Sequence, residues 1–151
     1  MYQHMNKPLE RVIKVAHEIA REYEQEYVGT EHLLLAIARD DDGGVAGQVL
    51  CECGATEQKT RAAVDKLIQA SLEDTWVFGR LPGTPHFRNV MAKAIEEAKA
   101  LGSNEIGTEH LLLGLLLEKG SVGYEALKSL GLTPKTVRDH VRRLIVDGAG
   151  A

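Results

Sequence analysis

The sequence has few of the residues that form covalent or metal-held scaffolds. Only 2 of its 151 residues are cysteine, and Cys51 and Cys53 lie one residue apart within a predicted helix. This spacing suits neither a disulfide framework nor a structural zinc site, so we expect buried or half-buried free thiols. The acidic run at 40–42 lacks the alternating ligands of a calcium loop and is interpreted as a solvated loop. We therefore predict no bound metal.

Long apolar runs and an excess of basic charge are also missing. No apolar stretch approaches the roughly 20 residues that a membrane-crossing helix requires, and no apolar segment of a secretion signal follows the first residues. We therefore expect a cytoplasmic protein without a membrane partner. The formal net charge of −4 leaves no basic surface for nucleic acid, so no nucleic-acid partner is expected.

The common catalytic motifs are absent as well. His32 and His110 each follow a glutamate directly and have no second histidine one helical turn away, so the zinc-binding pair of a metalloprotease is not formed. There is no Gly-x-Ser-x-Gly sequence for a nucleophilic serine and no glycine-rich loop that ends in Lys-Ser or Lys-Thr for a nucleotide phosphate. We therefore predict that the chain is not an enzyme and needs no cofactor.

The most informative feature that is present is an eight-residue block that occurs twice. Residues 28–35 read Val-Gly-Thr-Glu-His-Leu-Leu-Leu, and residues 106–113 differ from them only in beginning with isoleucine. Each block is typical of a helix start: the glycine permits a sharp turn, the threonine is an expected N-cap, and the glutamate places negative charge in the first turn. We interpret the two histidines as structural, with hydrogen bonds inside this turn, rather than as ligands.

The duplication extends over most of the chain and predicts the fold. The apolar positions of the first predicted helix recur 78 residues later, and no alternating strand pattern is found. We predict a monomeric all-α domain over 1–151 with eight helices, arranged as two four-helix repeats related by a pseudo-twofold axis. The first repeat covers about 6–71, a linker with Trp76 and Phe78 covers about 73–83, and the second covers about 84–147. The recurring positions are Leu9, Val12, Ile13, Ala16, Ala20 and Tyr23, matched by Phe87, Val90, Met91, Ala94, Ala98 and Leu101.

The doubled Gly-Thr-Glu-His-Leu-Leu-Leu motif carries a family resemblance. Each copy is preceded by an amphipathic helix and followed by a short helix that glycines bound, and from Asn6 to Ile145 this arrangement resembles the N-terminal repeat domain of ClpC- and ClpA-type chaperones. The resemblance implies a module that binds protein substrates or adaptor proteins of a Clp protease. An alternative is a stand-alone Clp-repeat regulator that sequesters tagged substrates or docks on a Clp complex.

The same resemblance implies a ligand and its residues. ClpC-like relatives recognise phosphorylated arginine; their motif glutamates correspond to Glu31 and Glu109, and the threonine that caps the first helix of each repeat corresponds to Thr84 in the second repeat and to Asn6 in the first. A carboxylate pairs with the guanidinium group, and a helix N-terminus receives the phosphate. Where many relatives read Thr-Pro-Arg, this chain has histidine as the third residue, His86. Because Thr84 is retained and Asn6 is not a threonine, we expect the second-repeat site to bind at least as tightly as the first.

Overall fold

The predicted helices are present, and the all-α fold of two four-helix repeats is confirmed. The computed structural model describes residues 4–24, 28–39, 44–75 and 84–147, with side chains for all of these except 4, 68–75, 84, 85, 146 and 147. The acidic run at 40–42, Trp76 and Phe78 lie outside the described residues. The eight helices in the described ranges are α1 Lys7–Glu22, α2 Thr30–Arg39, α3 Gly44–Glu52, α4 Glu57–Thr75, α5 Thr84–Ala100, α6 Thr108–Leu117, α7 Val122–Ser129 and α8 Pro134–Asp147.

Side chains cap the starts of three helices. Asn6 accepts a hydrogen bond from the Leu9 amide through Oδ1 at 3.0 Å, and Pro8 stands in the first turn of α1. Thr56 and Thr133 cap α4 and α8 in the same way, each accepting an amide hydrogen bond at 3.2 Å. These side chains satisfy amide groups that a helix start leaves without an intrahelical partner. The local sequence therefore sets where these helices begin.

The core is centred on α2 and α6, the helices that begin with the repeated block. The leucine triplets at 33–35 and 111–113 are at most 1% exposed, and α1 and α5 pack against them with the predicted apolar faces. Leu101 is an exception, because it is 37% exposed although its counterpart Tyr23 is half-buried. The expectation for the thiols is wrong for Cys51, which is exposed on α3, whereas Cys53 is half-buried.

The two repeats are interleaved in space. The short helix α3 of the first repeat packs on α6 and α8 of the second, and its counterpart α7 packs on α2 and α4 of the first. Each short helix thus covers the other repeat. The four-helix repeats are units of sequence, and the core that they form is shared.

Two reciprocal hydrogen bonds connect the repeats where the repeated block begins. The Thr30 hydroxyl accepts a hydrogen bond from the Gly123 amide at 3.0 Å, and the Thr108 hydroxyl accepts one from the Ala46 amide at 3.2 Å. The prediction that these threonines cap their own helices is therefore wrong. Gly29 and Gly107 precede the helices and accept the first intrahelical bonds through their carbonyl groups, which leaves each threonine inside its helix with its hydroxyl directed to the other repeat.

A very short parallel strand pair accompanies the helices. β1, His4–Met5, pairs with β2, Glu105–Ile106, and the Asn6 amide continues the pairing by donating to the Ile106 carbonyl at 2.9 Å. The sequence did not predict this pairing, because two residues are too few for an alternating pattern. Its consequence is that the start of α1 is held beside the start of α6.

The buried leucines provide a stability test of the repeat. Leu34 and Leu112 occupy equivalent positions and are both fully buried. Leu34→Ala and Leu112→Ala should each lower the free energy of unfolding by about 2–5 kcal/mol, because each leaves a cavity in the shared core. Denaturant unfolding checks this, with Leu101→Ala as the exposed control. Losses no larger than that of the control would contradict the burial of the pair.

The threonine hydrogen bonds predict a second effect on stability. Thr108→Val keeps the branched shape but removes the hydroxyl, so the buried Ala46 amide loses its acceptor and the free energy of unfolding should fall by about 1–3 kcal/mol. Thr108→Ser retains a hydroxyl and should lose less. Equal losses in the two variants, measured by denaturant unfolding, would show that the hydrogen bond contributes nothing.

Candidate functional site

The repeated block forms two equivalent turns, which we call corner one (28–32) and corner two (106–110). In corner one, Nδ1 of His32 accepts a hydrogen bond from the Gly29 amide at 2.8 Å; in corner two, Nδ1 of His110 accepts one from the Gly107 amide, also at 2.8 Å. The prediction that these histidines are structural and bond within the turn is confirmed. Each ring closes the start of its helix from the third position.

The hydrogen bonds also set the charge of the two histidines. Since Nδ1 accepts an amide proton, the neutral ring carries its own proton on Nε2. Burial lowers the pKa of His32 to about 4, and burial lowers the pKa of His110 while the neighbouring Glu109 opposes the shift. Nδ1 of His32 is 3.7 Å from Oε1 of Glu31, but the two form no ion pair near neutral pH because the ring is uncharged.

The two motif glutamates are buried and folded back over the preceding glycine. Glu31 is 3% exposed and Glu109 is 9% exposed. A Cβ atom placed on Gly29 would lie 2.8 Å from Cδ of Glu31, and one on Gly107 would lie 2.9 Å from Cδ of Glu109. The glycines therefore leave room for a carboxylate. A sharp turn does not require glycine here: Gly107 has φ −111° and ψ 178°, an extended conformation that any residue adopts, and Gly29 does not have a positive φ.

Glu31 is held in an unfavourable environment for a charge. Burial raises its pKa to about 7, although a hydrogen bond from its own amide and the nearby His86 both act to lower it. Its Oε2 atom is buried and has no hydrogen-bond partner among the residues that the structure describes. A buried carboxylate oxygen without a partner is destabilising in a free domain and is a common feature of binding sites.

Each acid lies beside the first helix of the other repeat. In corner two, a Cβ atom placed on Gly107 would lie 2.9 Å from Nδ2 of Asn6, at the start of α1, and would overlap the carboxylate of Glu109. Asn6 and Glu109 therefore border the same space beside Gly107. In corner one, the residue that acts on Glu31 is His86, in the first turn of α5. The residues brought together therefore come from different repeats: Glu109 lies with Asn6, and Glu31 lies near the start of α5. The Thr84 side chain lies outside the described residues, so its place in corner one stays a prediction.

A family model described as the Clp repeat (R) N-terminal domain matches twice, over residues 4–75 and 83–150. The chain belongs to the Clp repeat N-terminal domain family. The chloroplastic chaperone protein ClpC2 of Oryza sativa subsp. japonica is 37% identical over 145 residues, which are 96% of this chain and 16% of that protein. The ATP-dependent Clp protease ATP-binding subunit ClpA homologue of Guillardia theta is 37% identical over 149 residues, which are 99% of this chain and 18% of that protein.

Solved structures share the fold of this Clp repeat domain. The N-terminal domain of the Clp protease-associated chaperone ClpD from Arabidopsis thaliana superposes with a TM-score of 0.65 at 19% identity, covering 94% of each chain. A chain from a structural investigation of a malarial protein secretion system gives a TM-score of 0.70 at 19% identity, covering 92% of each chain. At this identity the likeness concerns the fold alone.

The Clp repeat domain also contains a polar cluster around the buried Glu118 that the sequence did not predict. Glu118, just after α6, accepts hydrogen bonds from His86 at 2.6 Å, from Asn89 at 2.8 Å and from Lys93. Burial acts to raise the pKa of Glu118, but these three donors overcome it and lower the pKa to about 2. The cluster fixes His86 in the first turn of α5, beside corner one. Glu118 lies 32, 29 and 25 residues along the chain from His86, Asn89 and Lys93, so a local pattern could not pair it with them.

Membrane-crossing helices and metal clusters are both absent from the parts of the chain that the structure describes. There, no helix combines the length and the apolar character needed to cross a membrane. In the same residues, no three histidine, cysteine or acidic side chains converge on a point that could hold a metal ion.

The burial of Glu31 predicts a dependence of stability on pH. Its pKa rises from the ordinary value of 4.5 to about 7 on folding, so the stability contributed by the protonated carboxyl is fully present below pH 4.5 and is lost as the pH rises to 7. Glu31→Gln removes this loss. In denaturant unfolding, the free energy of unfolding of the variant relative to the wild type should rise by on the order of 3 kcal/mol between pH 4.5 and pH 7. A difference that is the same at pH 4.5 and pH 8 would contradict the burial of a charge.

Proposed function

We propose that this Clp repeat domain is a non-catalytic module that binds protein substrates or adaptor proteins for a Clp chaperone. Its membership of the family supports this, as do relatives named as a Clp chaperone and as the ATP-binding subunit of a Clp protease. The chain spans about one sixth of the length of these relatives, 16% for the rice protein. The binding role is therefore argued from the corners themselves and not from the activity of whole relatives.

The ligand that fits the corners is a phosphorylated arginine side chain. The observation that carries this is the buried Glu31 carboxylate with an oxygen that lacks a partner in the described part of the chain. A guanidinium group supplies parallel N–H donors and a positive charge, which are what this oxygen lacks. The phosphate at the other end of the ligand requires amide donors, and a helix start provides them.

Each proposed site has two parts, which we call its poles: a carboxylate for the guanidinium group and a helix start for the phosphate. The two poles of a site come from different repeats. One site has Glu109 for the guanidinium and the start of α1, capped by Asn6, for the phosphate. The other has Glu31 for the guanidinium and the start of α5, with Thr84, for the phosphate. We propose that the site with Thr84 binds at least as tightly as the site with Asn6. Two sites on one domain would raise the avidity for chains modified more than once.

Both poles are needed for selectivity. An exposed carboxylate attracts any lysine or arginine by only about 0–1 kcal/mol, which selects nothing. A buried carboxylate pairs more strongly, and a helix start at the phosphate end excludes ligands without an anion. Unmodified arginine and inorganic phosphate each satisfy one pole and should therefore bind much more weakly than phosphoarginine.

Three finer expectations stay predictions. A stand-alone regulator that sequesters tagged substrates would use the same two sites, so the binding chemistry is common to both roles. A cytoplasmic location is a prediction for this chain, whereas the rice relative is named as a chloroplast protein. The monomeric state is likewise a prediction that sedimentation of the purified chain would check.

Calorimetry with free phosphoarginine tests the proposal. The wild-type chain should bind phosphoarginine at two sites. The Glu31→Ala, Glu109→Ala double variant should show no heat of binding, because both carboxylates that pair with the guanidinium group are gone. The matched control is Glu18→Ala with Glu96→Ala, two exposed glutamates at equivalent positions of the repeats. This control should bind like the wild type.

Two results would overturn the phosphoarginine proposal. One is the absence of heat from the wild type at millimolar ligand. The other is binding that survives in the double variant of Glu31 and Glu109. Free arginine and phosphate, titrated separately, show whether any heat observed belongs to one pole alone.

A further inference from the structure

The carboxylates of the two corners occupy the space where a side chain on the preceding glycine would lie. We propose that Gly29 and Gly107 are positioning residues: because they lack a side chain, Glu31 and Glu109 fold back over the start of their helices and present their carboxylates to the other repeat. The role of this arrangement in binding rests on the proposed function, whereas the arrangement itself can be tested without a ligand.

The backbone gives no other reason for glycine at these positions. Gly107 has φ −111°, and Gly29 is not among the glycines with positive φ, so neither needs the conformational freedom of glycine. Their amides donate to a histidine and their carbonyl groups accept from the helix, and any other residue except proline makes the same bonds. What distinguishes glycine here is the space beside its Cα atom.

The atoms that fill this space are the ends of flexible side chains. A methyl group on Gly29 would overlap the carboxylate of Glu31, and one on Gly107 would overlap that of Glu109. In both cases the glutamate can swing away while the backbone stays in place. Gly114 is different, because a Cβ atom there would lie 2.7 Å from the backbone oxygen of Val90, which is fixed in α5. Alanine at 29 or 107 should therefore displace a carboxylate, and alanine at 114 should destabilise the fold.

Displacement would change the chemistry of the corner. In its folded-back position, Glu31 is buried beside His32 and within the electrostatic influence of His86, and burial keeps its pKa near 7. A carboxylate that swings out regains water, and its pKa falls toward the ordinary value. In corner two, a methyl group on Gly107 would also approach Nδ2 of Asn6, so both poles of that site would be disturbed.

Titration of the Glu31 carboxyl carbon by NMR tests the positioning without any ligand. The midpoint should fall by at least about one pH unit in Gly29→Ala relative to the wild type, because the carboxylate becomes solvated. Gly107→Ala is the matched control, since it changes the other corner, and should leave the Glu31 midpoint in place. An unchanged midpoint in Gly29→Ala would overturn the inference.

Phosphoarginine binding then connects positioning with function. Gly29→Ala and Gly107→Ala should each weaken one of the two sites by at least about tenfold while their melting temperatures stay close to that of the wild type. Gly114→Ala should melt lower. Full affinity at both sites in the glycine variants would overturn the positioning role in binding. If the wild type itself does not bind, the proposed ligand is wrong, and the NMR midpoint still decides whether the glycines position the acids.

Discussion

A threonine hydroxyl in each repeat that accepts an amide hydrogen bond from the other repeat is the interaction on which the rest of this structure depends. Thr30 receives the amide of Gly123 in α7, and Thr108 receives that of Ala46 in α3. These two bonds place each corner against a short helix of the opposite repeat. As a result, the acidic side chains lie at the boundary between the repeats rather than inside either one.

Each residue type of the repeated motif then has a separate physical role. The glycine leaves room for a carboxylate, the threonine joins the repeats, and the glutamate supplies the buried acid. The histidine closes the helix start through Nδ1, and the leucines fill the shared core. Because Glu31 is buried without a full set of partners, the free domain keeps this acid at the expense of stability, as is common at functional sites.

The sequence was sufficient for the helices and for several of their local contacts. The spacing of apolar residues predicted the helices and the duplication, and Asn6 caps the first helix, as its position in the resemblance implied. The partners of Thr30 and Thr108 were not predictable, because they lie 93 and 62 residues away and a local pattern favoured ordinary capping. Which acid lies beside which first helix was not predictable for the same reason, since it follows from how α3 and α7 pack on the other repeat.

That each acid serves the first helix of the other repeat is tested most directly by amide NMR spectra recorded with phosphoarginine. In the wild type, the ligand should shift amides in the first turns of both α1 and α5. In Glu109→Ala, the shifts at Lys7 and Leu9 in α1 should disappear while those at His86 and Phe87 in α5 remain. Loss of the α5 shifts with retention of the α1 shifts would contradict the exchange, because it would place Glu109 in a site with the first helix of its own repeat.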